Sequence, residues 1–117
     1  MYKKTAEDNQ EYVAKVTGNL LDITFNNEDW EFVQNECLRN IEKNECLDIV
    51  RLSITCLGHI ARIHNCIDKE KVLSILAEKI NEKELSGFVD DALDDIEQFA
   101  ANVTLDDIKK FSNLNRK

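Results

Sequence analysis

The sequence predicts an all-α fold built from two helical hairpins with a capping helix at either end. Three observations carry this expectation. The 117 residues contain no proline and three glycines, whereas a sheet protein of this size needs turn residues repeatedly. Apolar residues recur at spacings of three and four along most of the chain. The chain also matches itself when shifted by 39 residues.

The first helix is expected over 7–23, through Tyr12, Val13, Val16, Leu20 and Ile23, with Gly18 as its weak point. Asn26 and Asn27 mark a break, and Asn27 is a candidate cap for the second helix. That helix runs over 28–43, through Trp30, Val33, Cys37, Leu38 and Ile41. Trp30 reads as a core residue of the first hairpin.

Residues 46–65 form the most apolar helix. Ile49, Val50, Ser53, Ile54, Cys56, Leu57, Ile60, Ala61 and Ile63 cover more than half of its circumference. Such a helix is packed on two sides and is therefore central. Asp68 is placed to cap a helix over 69–81 (Val72, Leu73, Leu76, Ile80). Another follows over 84–101 (Leu85, Phe88, Val89, Ala92, Leu93, Ile96, Phe99, Ala100). Thr104 and Asp107 resemble a capping box that opens a short last helix over 104–114.

The 39-residue offset needs no gap. Asp29 falls on Asp68, Val33 on Val72, Cys37 on Leu76 and Ile41 on Ile80. Across the turn, Val50 falls on Val89, Ile54 on Leu93, Leu57 on Ile96 and Ala61 on Ala100. Ile49 and Ile60 fall on Phe88 and Phe99. One register held through two helices and a turn defines two repeats, 28–65 and 68–101, in a single domain over 1–117. Neither hairpin can bury its apolar face alone, so the two stack.

The stretch from Asp29 to Ala100 resembles a short HEAT-repeat protein, an α-α superhelix. The segments "VRLSITCLGHIARIHN" and "VDDALDDIEQFA" are similar to bacterial HEAT-like proteins of toxin immunity, including those of contact-dependent growth inhibition. That resemblance implies a cytoplasmic immunity protein whose partner is a cognate protein toxin, with no enzymatic activity and no cofactor of its own. A general HEAT-like adaptor is the alternative the same repeat allows.

Composition adds a charge. The chain carries a net −8, unsuited to nucleic acid or anionic membrane surfaces and suited to basic partners. The acid is concentrated. Residues 82–107 hold nine acidic side chains against Lys83, a balance equal to that of the whole chain. No N-terminal signal segment and no apolar run of membrane-spanning length is read. Cys37, Cys46, Cys56 and Cys66 lie 9, 10 and 10 residues apart. That spacing lacks the close pairs of zinc sites, and it suits small buried hydrophobes in a reducing compartment. No metal ligands are assigned.

Repeat proteins place function on faces that packing does not use. The second helix of each hairpin carries such a stripe: Asp48, Arg51, Thr55, Gly58, His59 and Arg62 on one, and Asp90, Asp91, Asp94, Asp95, Glu97 and Gln98 on the other. The partner-binding candidates are Asp90, Asp91, Asp94, Asp95 and Glu97 with Arg51, His59 and Arg62. Two fates are open for the aspartates. They meet a basic partner, or they pair internally with Arg51 and Arg62. A third functional reading takes Asp90-Asp91-Ala92-Leu93-Asp94 as a D-D-x-x-D string for a magnesium-dependent enzyme. It lacks a second acidic motif on the facing helix. A Cys56–His59 nucleophile pair lacks an orienting third group.

Overall fold

The computed structural model describes residues 10–44 and 46–115. They form six helices: α1 (Gln10–Asn26), α2 (Trp30–Lys43), α3 (Leu47–His64), α4 (Lys69–Lys79), α5 (Ser86–Phe99) and α6 (Leu105–Asn115). No strand occurs among the described residues. The all-α expectation holds.

The helix starts follow from side-chain chemistry. Asp29 caps α2 by accepting from the Phe32 N–H at 3.2 Å. Asn27, expected as that cap, instead accepts the Asp29 N–H at 2.8 Å and so shapes the turn that presents the cap. Asp68 caps α4 through the Lys71 N–H at 3.3 Å, as expected. The capping box of α6 is reciprocal. The Thr104 N–H donates to the Asp107 carboxylate at 2.9 Å, and the Asp107 N–H donates to the Thr104 hydroxyl oxygen at 3.1 Å. The Thr104 backbone bond, aided by the Thr104 hydroxyl and by Lys69, holds the Asp107 carboxyl below its ordinary value. The central helix α3 ends on Asn65 in the left-handed conformation (φ 60°), an ending that asparagine tolerates.

The helices lie in two layers. One holds α1, α3 and α5 in that order; the other holds α2, α4 and α6. Helix α3 is flanked by α1 and α5 and also rests on α2. The Cα extents of 44 × 36 × 17 Å describe a plate two helices thick. Its core is continuous. Val33, Cys37, Ile41, Ile49, Val50, Ile54, Cys56, Leu57 and Ile60 are sealed from solvent on α2 and α3, as are Val72, Leu76, Leu85, Val89 and Ile96 across α4 and α5. Trp30 is half-buried against this cluster.

Two pairs of helices start 39 residues apart, the spacing of the sequence offset. Helices α2 and α4 begin at Trp30 and Lys69, and α3 and α5 begin at Leu47 and Ser86. The correspondence breaks at two core positions. Ile49 and Ile60 are fully buried, yet their equivalents Phe88 and Phe99 are each 37% exposed. The reason is position. Helix α3 has neighbours on both flanks, whereas α5 closes its layer with α3 on one flank alone. Tyr12 on α1, the opposite edge, is exposed for the same reason, and Ile63 near the end of α3 is exposed as well.

The turn after α3 is locked to the turn after α5. The Ala101 N–H donates to the Asn65 carbonyl at 2.8 Å, and the Asn65 amide donates to the Phe99 carbonyl at 3.2 Å. The Asn102 amide group bonds Ile67 twice, donating to its carbonyl at 2.6 Å and accepting from its N–H at 3.3 Å. Buried Gln34 of α2 adds a third tie by accepting the Asp68 N–H at 2.7 Å. Replacing Asn102 with alanine leaves both Ile67 groups without their partner. The expected loss is about 1–2 kcal/mol of unfolding free energy, read as a lower urea midpoint at unchanged slope.

Candidate functional site

The candidate residues gather on the α1–α3–α5 layer. On α3, Arg51, Thr55, Gly58 and Arg62 lie along the line that meets α5, and His59 turns toward α1. On α5, Phe88, Asp95 and Phe99 lie on the line that meets α3. Asp90, Asp94 and Glu97 point the other way, into solvent.

Arg51 and Arg62 do not pair with Asp91 or Asp94. The Arg51 guanidinium lies 5.1 Å from the centroid of the Phe88 ring, and its Nε donates to the Glu84 carbonyl at 3.1 Å. The Arg62 guanidinium lies 5.5 Å from the Phe99 centroid. Two cation–π contacts, eleven residues apart on each helix, therefore bracket the α3–α5 seam. Such contacts cover the apolar rings while leaving the charge hydrated.

Between them the helices approach closely, and Gly58 permits it. A Cβ at Gly58 would sit 2.8 Å from the Asp95 carboxylate oxygen, 3.3 Å from Asp95 Cβ and 3.5 Å from Ala92 Cα. Asp95 is consequently half-buried, its carboxylate leaning over the glycine. Asp90, Asp91, Asp94 and Glu97 are exposed. Among the described residues, none of Asp91, Asp94 and Asp95 forms a salt bridge; the ion pairs include Arg39–Glu36, Lys69–Asp107, Lys71–Asp68 and Lys79–Glu82. Internal pairing of Asp91 or Asp94 with Arg51 or Arg62 is therefore not seen.

On the other side of α3, the His59 ring stacks at a tilt on Phe25 of α1, with centroids 5.1 Å apart. Phe25 is 54% exposed and Leu21 is 40% exposed. The face thus joins exposed aromatic and aliphatic groups to two arginines and a fringe of carboxylates. The charged residues were legible as stripe positions. The aromatic ones were not, because the repeat assigns Phe88 and Phe99 to core positions.

No disulfide joins any of the four cysteines. Cys37 and Cys56 are fully buried, which seals the Cys56 sulfur from solvent and from His59 chemistry. A hydrogen bond with Cys56, together with burial, pushes the Cys37 thiol well above its ordinary value. Among the described residues no three His, Cys, Asp or Glu side chains are placed to hold a metal ion together. No described helix is long and apolar enough to cross a membrane.

Comparison with family models, with curated proteins and with solved structures finds no match to this chain.

Proposed function

We propose that this protein is a HEAT-like α-α superhelix that binds and neutralises a basic protein toxin in the cytoplasm, as an immunity protein of the contact-dependent growth inhibition kind. The single observation that carries the reading is the state of α5. It presents Asp91 and Asp94 to solvent without an intramolecular ion pair, beside two exposed phenylalanines. Like charges four residues apart, as in Asp91 with Asp95, destabilise a helix by about 0.2–0.5 kcal/mol per pair. A surface that bears such a cost in the free state gains it back against a basic partner, which the same charges also steer into contact. Nucleases fit this chemistry, since their phosphate-binding surfaces are basic.

The resemblance of "VRLSITCLGHIARIHN" and "VDDALDDIEQFA" to immunity proteins points to the same class, and the matched helix starts of the two hairpins support the repeat reading. The test is the combined change of Asp90, Asp91, Asp94 and Asp95 to asparagine. Binding to the cognate toxin is expected to weaken about tenfold or more at near-physiological salt, with protection of toxin-expressing cells lost. The helical circular dichroism stays, and thermal stability rises slightly as the like-charge pairs vanish. Unchanged affinity and protection would remove the acidic face from the mechanism.

A further inference from the structure

We infer that a depression between the C-terminal ends of α1 and α3 receives an arginine or lysine side chain of a protein partner. It lies on the same layer as the carboxylates of α5 but at the far side of α3, and it shares none of those carboxylates, its link to the candidate face being the Phe25 contact with His59. Phe25, Asn26, Asn27, Glu28, Ile63 and His64 line it, around an open volume of about 430 Å³. That lies within the ligand-pocket range of roughly 300–1,000 Å³ and leaves ample room for one long side chain.

Two features make the walls unusual for a surface hollow. Phe25 and Ile63 are 54% and 43% exposed, so one wall is apolar and uncovered. The Phe25 ring is also held in place by His59 at 5.1 Å. An aromatic ring fixed in this way at a surface is a ready platform for a cation.

The charge around it selects the occupant. Helix α1, like α5 and α6, has no basic residue in its last turn, whereas α2 has Lys43, α3 has Arg62 and His64, and α4 has Lys79 at theirs. The carbonyl end of α1 is therefore a negative pole with no basic side chain on its own helix, and the basic group that α3 places on the wall is the His64 imidazole. Arg62 of α3 is engaged on the opposite side, over Phe99. Residues 22–31 contribute Asp22, Glu28, Asp29 and Glu31 and no base. Asp22 receives the Asn26 amide at 2.9 Å and Asp29 caps α2; of the remaining two, both exposed, Glu28 is the one that lines the hollow. A ring face, a helix C-terminus and a carboxylate converge on one hollow. An aliphatic stem ending in a cation satisfies all three, and a neutral apolar side chain satisfies one.

The proposal can be examined without the partner. Uniformly labelled full-length protein is titrated with acetyl-Gly-Arg-Gly-amide, and with acetyl-Gly-Gln-Gly-amide as the neutral control, at constant ionic strength. Expected are saturable amide shifts at Phe25, Asn27, Glu28 and Ile63 for the arginine probe alone. Phe25→Ala and Glu28→Gln are each expected to weaken the apparent affinity about two- to fivefold. Both positions are exposed, so dispersed spectra of the variants establish that the fold is kept. Shifts confined to the α5 aspartates, equal shifts with the neutral probe, or affinities unmoved by both variants would each overturn the inference. The α5 binding reading has its own test in the asparagine variant, so the two stand or fall separately.

Discussion

Ile60→Ala is expected to lower the unfolding free energy by about 2–5 kcal/mol, whereas Phe99→Ala, at the position matched by the sequence offset, should cost no more than about 1–2 kcal/mol. By sequence alone the order would be reversed, since phenylalanine is the larger side chain. Ile60 is fully buried in the helix that has neighbours on both flanks. Its removal leaves a void that close-packed surroundings fill poorly. Phe99 is 37% exposed at the layer edge. Much of its ring already meets water, and the Arg62 contact it would lose is a surface cation–π pair of about 0.5–1 kcal/mol. Urea unfolding of the two variants, with slopes matched to wild type, gives the comparison directly. Equal losses would mean that the outer flank of α5 is covered in the folded molecule, contrary to the layer order.

The same pair of residues shows where sequence reading stops. Periodicity and the 39-residue offset locate the helices, because local spacing and the need to bury one face act within each segment. They cannot tell an inner repeat from an outer one. Ile60 and Phe99 occupy the same phase of equivalent helices, and only the order of helices in the layer separates their fates. A similar limit applies to Arg51 and Arg62. The sequence offers them both carboxylates and aromatic rings on α5. Which they meet depends on rotation of that helix, and the rotation places Phe88 and Phe99, not Asp90 and Asp94, on the line facing α3. At the turn before α2, Asn27 and Asp29 are both good caps by type. Helix α2 starts at Trp30, which makes Asp29 the cap and leaves Asn27 to support it. The hollow between α1 and α3 joins residues nearly forty positions apart, and nothing in either segment read alone announces it.

Gly58 is the position where one substitution should move both the fold and the face. In a helix interior glycine costs about 1 kcal/mol relative to alanine, so its presence in the central helix needs a compensating reason. The reason is the α3–α5 crossing, where an added Cβ would meet the Asp95 carboxylate at 2.8 Å. That atom is the end of a rotatable side chain, and the nearest backbone atom, Ala92 Cα, lies at 3.5 Å. Gly58→Ala is therefore expected to be close to neutral, the helix gain offset by the displaced carboxylate. Adding Asp95→Ala should uncover part of that gain, so the two changes are non-additive. Gly58→Leu has no such escape. Its outer carbons run into the α5 backbone at Ala92, and the helices must part, at a cost of about 1–3 kcal/mol or more. Separation also pulls Phe88 and Phe99 out from under Arg51 and Arg62. The signature is thus a drop in urea midpoint together with a changed environment at both rings, seen in aromatic side-chain spectra. A leucine variant as stable as wild type, with both ring environments unchanged, would show that the α3–α5 seam is looser than the 2.8 Å approach requires.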